Sequence, residues 1–136
     1  MELNSQISQW IWNSTYRFFG ADGNAIDSSI EDTWRRIAET VASVEKEPKK
    51  WDQKFYDALK EFKFLPAGRI IAGAGTGRSV TLFNCFVMGD IPDDMTGIFT
   101  AVKEAALTLQ QGGGIGYNFS TLRPKGVSVV GVGADA

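Results

Sequence analysis

The stretch LTLQQGGGIGYNFSTLRPKG, residues 107–126, joins an apolar helical run to a strand-like one through four glycines, Gly112, Gly113, Gly114 and Gly116. Glycine loses more backbone freedom on folding than any other residue, so a cluster implies a sharp turn or a close approach. A helix C-cap followed by a turn into a strand uses one or two of them. A ligand's phosphate or sugar resting on bare backbone would use the others. The dinucleotide fingerprint G-x-G-x-x-G is not met: counted from Gly112 or Gly114, its last position falls on Tyr117 or Phe119. No G-x-x-x-x-G-K-[ST] loop occurs, and the helix precedes the glycines, so no helix N-terminus faces a phosphate here.

Upstream, VTLFNCFVM (residues 80–88) is rich in β-branched and apolar residues and reads as a mostly buried strand. GDIPDDM is a turn, and Asp93 or Asp94 can cap a helix over residues 95–110. Ile98, Val102, Ala105, Ala106 and Leu109 form the stripe expected to be buried on that helix. After the glycines come strand-like IGYNFSTL, a turn at RPKG and apolar VSVVGVG. The order strand, helix, strand predicts a parallel pair joined by a crossover helix. Two or three strands cannot close a barrel or cover both their faces, so this half reads as unfinished.

The first half has a different period. Ile30, Trp34, Ile37, Ala38 and Val41 make one helical stripe, with Ser28 and Glu31 spaced as a capping box. Trp51, Phe55, Ala58, Leu59 and Phe62 repeat the pattern in a helix that must stop near Pro66. An earlier helix is expected over about residues 6–19. Thirteen of the 15 glycines lie at or after Gly68, and 20 of the 30 charged residues at or before Lys63. That shift predicts a helical domain over residues 1–66 and a strand-containing domain over 67–136, with AGAGTGRS (residues 72–79) as the connection.

Composition narrows the chemistry. The 136 residues are 43% hydrophobic with a net charge of −2, enough for a core and too little positive charge to favour nucleic acid or an anionic membrane. The longest apolar runs are too short to span a bilayer, and the N-terminus lacks a signal-peptide pattern. There is no histidine, which excludes His-based acid–base catalysis, Ser-His-Asp and Cys-His nucleophiles and His-ligated metals. The single cysteine, Cys85, excludes an internal disulfide and points to a reducing, cytoplasmic setting. A lone cysteine in a strand pattern most simply packs as a small hydrophobe. Asn84 beside it would need a partner for its amide if buried, and a ligand is one way to supply it. Asp93 and Asp94 suit a turn and an N-cap. Arg123 suits a solvated strand end or a phosphate.

Three blocks in order, FLPAGRIIAGAGT, VTLFNCFVMGDIPDDMTGIF and AALTLQQGGGIGYNFSTLRPKGVSVVGVGADA, resemble ribonucleotide reductase large subunits, most closely the adenosylcobalamin-dependent branch. The resemblance is dense over residues 64–136. It implies a helical N-terminal domain followed by the opening strand–helix–strand of a ten-stranded α/β barrel. By the motif NCF, Cys85 corresponds to a cysteine that, with a second cysteine, reduces the substrate's 2′-carbon and becomes a disulfide. Asn84, Gly113, Gly114 and Gly116 correspond to substrate-contacting positions, with Gly114 the best single match. Asp93, Asp94, Met95 and Arg123 lie where dimeric members bind a deoxynucleotide or ATP effector, and the helix after Asp94 would form part of the dimer contact. The implied activity is that of a ribonucleoside-diphosphate reductase making DNA precursors. Adenosylcobalamin would serve the full enzyme without an evident site in this segment. The family's second redox cysteine, radical-bearing cysteine and catalytic Glu and Asn are missing from this chain. It is therefore expected to be a fragment, or to act with a separately encoded remainder. The alternative is an inactive nucleotide-binding or assembly module that pairs with a reductase subunit.

Overall fold

A computed structural model describes residues 3–129, 131 and 133. The chain divides into two compact units, Met1–Leu82 and Phe83–Ala136.

The first unit is helical. Ser5 caps helix α1 (Gln6–Ile11) by accepting the Ser8 N–H at 3.2 Å, and a wide π-type turn over Trp12–Tyr16 continues it. Helix α2 (Ile30–Ala42) begins one residue later than the Ser28/Glu31 spacing predicts. Burial of Ile30 as the first helical residue makes Ser29 the cap, and its box partner is Asp32. The Asp32 carboxylate accepts the N–H groups of both Ser28 and Ser29 at 2.8 Å. Ile30, Trp34, Ile37 and Ala38 are buried as the stripe predicts, with Ala42 buried and Val41 exposed at its far end.

Helix α3 (Pro48–Leu59) starts on a proline that fits the first turn, and a 3-10 turn follows over Lys60–Phe62. Glu61 and Phe62 both take left-handed φ values, 60° and 57°, so the helix breaks before Pro66 is reached. The Arg35 guanidinium lies over the Tyr56 ring, 3.4 Å from its centroid.

A short helix, α4 (Gly68–Gly73), precedes the connection expected over residues 72–79 and takes in its first two residues. Ile71 and Ala74 join Ile30, Trp34, Ile37, Ala38 and Leu59 in one core. The compositional break therefore falls inside the first unit, because apolar residues after Pro66 complete the helical core. A buried ion pair fastens this segment. Arg36 grips Asp27 with Nε at 3.1 Å and Nη2 at 2.8 Å, and also donates to the carbonyls of Ile71 and Ala74. Gly75 follows with φ 73°, and a Cβ there would stand 2.5 Å from Thr40 Oγ1 and 2.7 Å from Arg36 Cγ. Only glycine fits so close to α2.

In the second unit, strand β1 (Cys85–Val87) and strand β2 (Gly114–Gly116) pair in parallel, with helix α5 (Met95–Gln110) between them in sequence. This is the predicted strand–helix–strand arrangement. Cys85 pairs with Gly114, Phe86 with Ile115 and Val87 with Gly116. Asp94 is the cap of α5, accepting the Gly97 N–H at 2.8 Å.

Three expectations are corrected here. The strand predicted over residues 80–88 is only three residues long, and Cys85 and Val87 on it are exposed rather than buried. Residues 117–122 form no strand after β2. On α5 only Ala105 is buried, while Val102 and Leu109 are exposed. The common reason is a shortage of partners: one short strand pair offers too little surface to cover these residues. Of the apolar run 127–133, residues 127–129 form no continuous strand, and Val130 and Val132 lie outside the described residues. None of the described helices is long and apolar enough to cross a membrane.

Candidate functional site

The four glycines have four different surroundings. Gly112, with φ 87°, ends α5: its N–H donates to Leu109 at 2.9 Å and the Gly113 N–H donates to Thr108 at 3.0 Å. Those two bonds make a Schellman cap. Gly113 is glycine for packing, since a Cβ would stand 2.7 Å from the Phe86 ring and 3.0 Å from Thr108 Cγ2. Gly116 has open space on its Cβ side.

Gly114 lies against the thiol. Its N–H donates to the Asn84 carbonyl at 2.7 Å, and a Cβ on it would stand 3.3 Å from Cys85 Sγ and 3.4 Å from that carbonyl oxygen. Parallel pairing thus puts the exposed Cys85 next to bare backbone. Asn84 is exposed, so the expectation of a buried amide seeking a partner is corrected. The arrangement places an accessible sulfur beside an exposed amide side chain and the bare backbone of Gly114.

The other expected residues gather in a second group. Asp93, Asp94, Met95 and Arg123 line a cavity of about 540 Å³ together with Ile98 and Leu122. Arg123 Nε donates to the Asp93 carboxylate at 2.8 Å, and its Nη2 to the Asp93 carbonyl at 2.7 Å. Asp94 spends one carboxylate oxygen on the helix cap, and Met95 is exposed. The guanidinium is held by Asp93, so a phosphate would take it only in exchange for that pair, while a ring could pack on the apolar neighbours. Among the described residues, no group of three or more His, Cys, Asp or Glu side chains is placed to hold a metal ion.

Sequence reasoning missed a third feature of this unit. Thr96, Thr100 and Glu104 line a cavity of about 440 Å³, shared with Met88, Asp90, Pro92 and Tyr117. The Tyr117 hydroxyl donates to the Ala101 carbonyl and so ties the chain after β2 to α5. The signal was present as a polar spacing of four along the helix, opposite in meaning to the apolar stripe.

Comparison with known proteins gives a consistent answer over both units. The family model for "Ribonucleotide reductase, all-alpha domain" matches residues 2–79, and that for "Ribonucleotide reductase, barrel domain" matches residues 83–136. The chain is 39% identical over 95 residues to the ribonucleoside-diphosphate reductase subunit alpha of Helicobacter pylori, a match covering 70% of this chain and 12% of that protein. It is 37% identical over 106 residues to the vitamin B12-dependent ribonucleoside-diphosphate reductase of Mycobacterium tuberculosis, covering 74% of this chain and 15% of that one. The corresponding Thermoplasma acidophilum protein is 30% identical over 99 residues, covering 73% of this chain and 13% of its own. The chain thus spans only 12–15% of the length of these relatives. With both family models in order along it, a helical domain followed by the start of a barrel domain, the chain belongs to the ribonucleotide reductase large-subunit family.

Proposed function

We propose that this segment supplies the first redox thiol and part of the nucleotide-binding surface of a ribonucleoside-diphosphate reductase. The observation that carries the reading is Cys85, exposed on β1 with its sulfur against the bare backbone of Gly114. Two thiols together provide the two electrons that reduce the 2′-carbon: the 2′-hydroxyl leaves as water and the sulfurs join as a disulfide. Cys85 is one of them. The second belongs to the remainder of the polypeptide, since this chain has a single cysteine. Asn84, Gly113, Gly114 and Gly116 form the substrate-facing edge, with Gly113 acting through its packing on Phe86.

Strands β1 and β2 are on this reading the opening strands of a ten-stranded barrel. The cavity at Asp93, Asp94, Met95 and Arg123 takes the deoxynucleotide or ATP effector. Helix α5 carries Met95, Phe99, Val102 and Leu109 as exposed apolar residues at coiled-coil spacing, which suits a homodimer contact. The product deoxynucleotides would serve DNA synthesis, in the reducing cytoplasm that the single thiol favours.

Relatives named as vitamin B12-dependent make adenosylcobalamin the implied radical source. The two cavities of about 540 Å³, at Trp34 and at Arg123, are too small for a corrin with its nucleotide tail. The cofactor would be held by the remainder of the enzyme.

In the full-length enzyme, Cys85→Ser should abolish dithiol-dependent multiple turnover while leaving nucleotide affinity within about twofold, less than 0.5 kcal/mol. Turnover that survived the change would remove Cys85 from the mechanism. Loss of turnover in a wild-type chain that binds nucleotide would instead favour an inactive assembly module.

A further inference from the structure

Side chains alternate along β1, so Cys85 and Val87 share its exposed face and Phe86, half-buried, takes the other. The Phe86 ring meets Gly113, which is itself buried. A Cβ on Gly113 would stand 2.7 Å from Phe86 Cε2 and 3.0 Å from Thr108 Cγ2, so ring and methyl both close on the same bare carbon. Thr108 Oγ1 donates to the Glu104 carbonyl at 2.9 Å, which holds that methyl in place. Gly113 lacks the left-handed φ of Gly112, so its missing side chain serves this packing rather than the turn.

The strand pair has little else to fix its register. It is three residues long, and two of the three on β2 are glycines. At its ends the Gly114 N–H donates to the Asn84 carbonyl at 2.7 Å and the Met88 N–H to the Gly116 carbonyl at 3.0 Å. Glycine-rich strands specify register weakly, because a slip moves no buried side chain off its face. A slip by one residue would set Cys85 opposite Gly113 or Ile115, moving the sulfur by about 3.3 Å relative to β2. Misplacement of a reacting group by about 1 Å is enough to cost a large factor in rate.

We propose that Phe86 is a positioning residue for the Cys85 thiol. Together with Thr108 it clasps Gly113, locks the Cys85–Gly114 register and so fixes where the sulfur stands. The inference rests on the reading of Cys85 as the redox thiol. Phe86 acts through the strand pair and not on the nucleotide.

In the full-length enzyme, Phe86→Leu keeps an apolar side chain and removes the flat ring. Dithiol-dependent kcat, taken per nucleotide-binding site, should fall about tenfold with KM within about twofold of wild type. Gly113→Ala should also lower kcat. Phe86→Leu combined with Gly113→Ala should turn over faster than either single variant, because the methyl fills the space the ring leaves. A merely structural role would reduce the number of nucleotide-binding sites and leave kcat per site unchanged. Cys85→Ser tests the underlying reading separately: turnover in that variant would remove the thiol from the reaction and this inference with it. An inactive Cys85→Ser beside a wild-type kcat in Phe86→Leu would overturn the positioning role alone. A raised KM with unchanged kcat would overturn it too, and would make Phe86 part of the binding surface. If Phe86→Leu fails to fold, Thr108→Ser decides, since it removes the clasping methyl and keeps the hydroxyl. It should lower kcat about threefold, and an unchanged kcat there would refute the clasp.

Discussion

The helical unit buries eight hydrophobic residues, seven of them in one cluster that includes Trp34, and pairs its buried carboxylate with an arginine, whereas the strand-bearing unit buries only Ile91 and Ala105 among its described hydrophobic residues. Phe83, Val87, Phe99 and Phe119 are all more than 60% exposed in the second unit. Yet every residue expected at the reductase site lies in that second unit. The difference teaches where this segment is self-sufficient. Local periodicity and one ion pair give the first unit its own interior. The second carries its expected chemistry on elements whose apolar side chains are largely uncovered.

The ion pair gives the largest expected effect. Arg36→Ala would leave Asp27 charged, 2% exposed and unpaired, costing about 3–5 kcal/mol of stability in the helical unit. A loss below about 1 kcal/mol in urea unfolding of the full-length chain would mean that this unit is not self-contained. Burial works to raise the Asp27 carboxyl, but hydrogen bonds from Arg36 and Thr33, the Arg36 charge and the Phe18 N–H together hold it below its usual value of 3.8. The folded value is depressed, so this stabilisation is present above about pH 4 and disappears as pH falls through the folded value. Asp27→Asn should flatten that acid limb of the stability profile.

Next comes the glycine turn, where two neighbouring substitutions separate packing from recognition. Gly113→Ala drives a methyl into the Phe86 ring and should cost about 1–3 kcal/mol. Gly116→Ala meets nothing within 4 Å among the described residues and should change stability by less than about 0.5 kcal/mol. Any fall in nucleotide affinity in the second variant then reports the ligand alone. The smallest effect on stability is expected at Phe99, which is 62% exposed. Phe99→Glu should leave unfolding within about 0.5 kcal/mol of wild type. It should shift sedimentation of the full-length enzyme from dimer to monomer, and an unchanged dimer would move the contact away from α5.

Much of this was legible in the residues, and what was not has physical causes. The bounds of α5 followed from Asp94 and the first glycine, because a cap and a left-handed C-terminus are local chemistry. Parallel pairing followed from a helix placed between two apolar runs. The α2 box was displaced by one residue because Ser28, Ser29, Glu31 and Asp32 allow two registers, and burial of Ile30 chooses between them. The α5 stripe was correct as a period and wrong as burial, since a pattern cannot state whether its partner is present. The glycines were the most instructive case. Sequence could give the first of them to the helix cap, but only the packing gives Gly113 to Phe86 and Gly114 to the Cys85 sulfur.

The central claim is that Cys85 delivers electrons to a ribonucleotide and leaves as half of a disulfide. The direct measurement is a disulfide map of the full-length enzyme after a single turnover with no external reductant, with free thiols alkylated before digestion. The Cys85 peptide should be recovered linked to a second cysteine peptide from the remainder of the polypeptide, in proportion to deoxynucleotide formed. Recovery of Cys85 fully alkylated, beside a stoichiometric yield of product, would contradict the account.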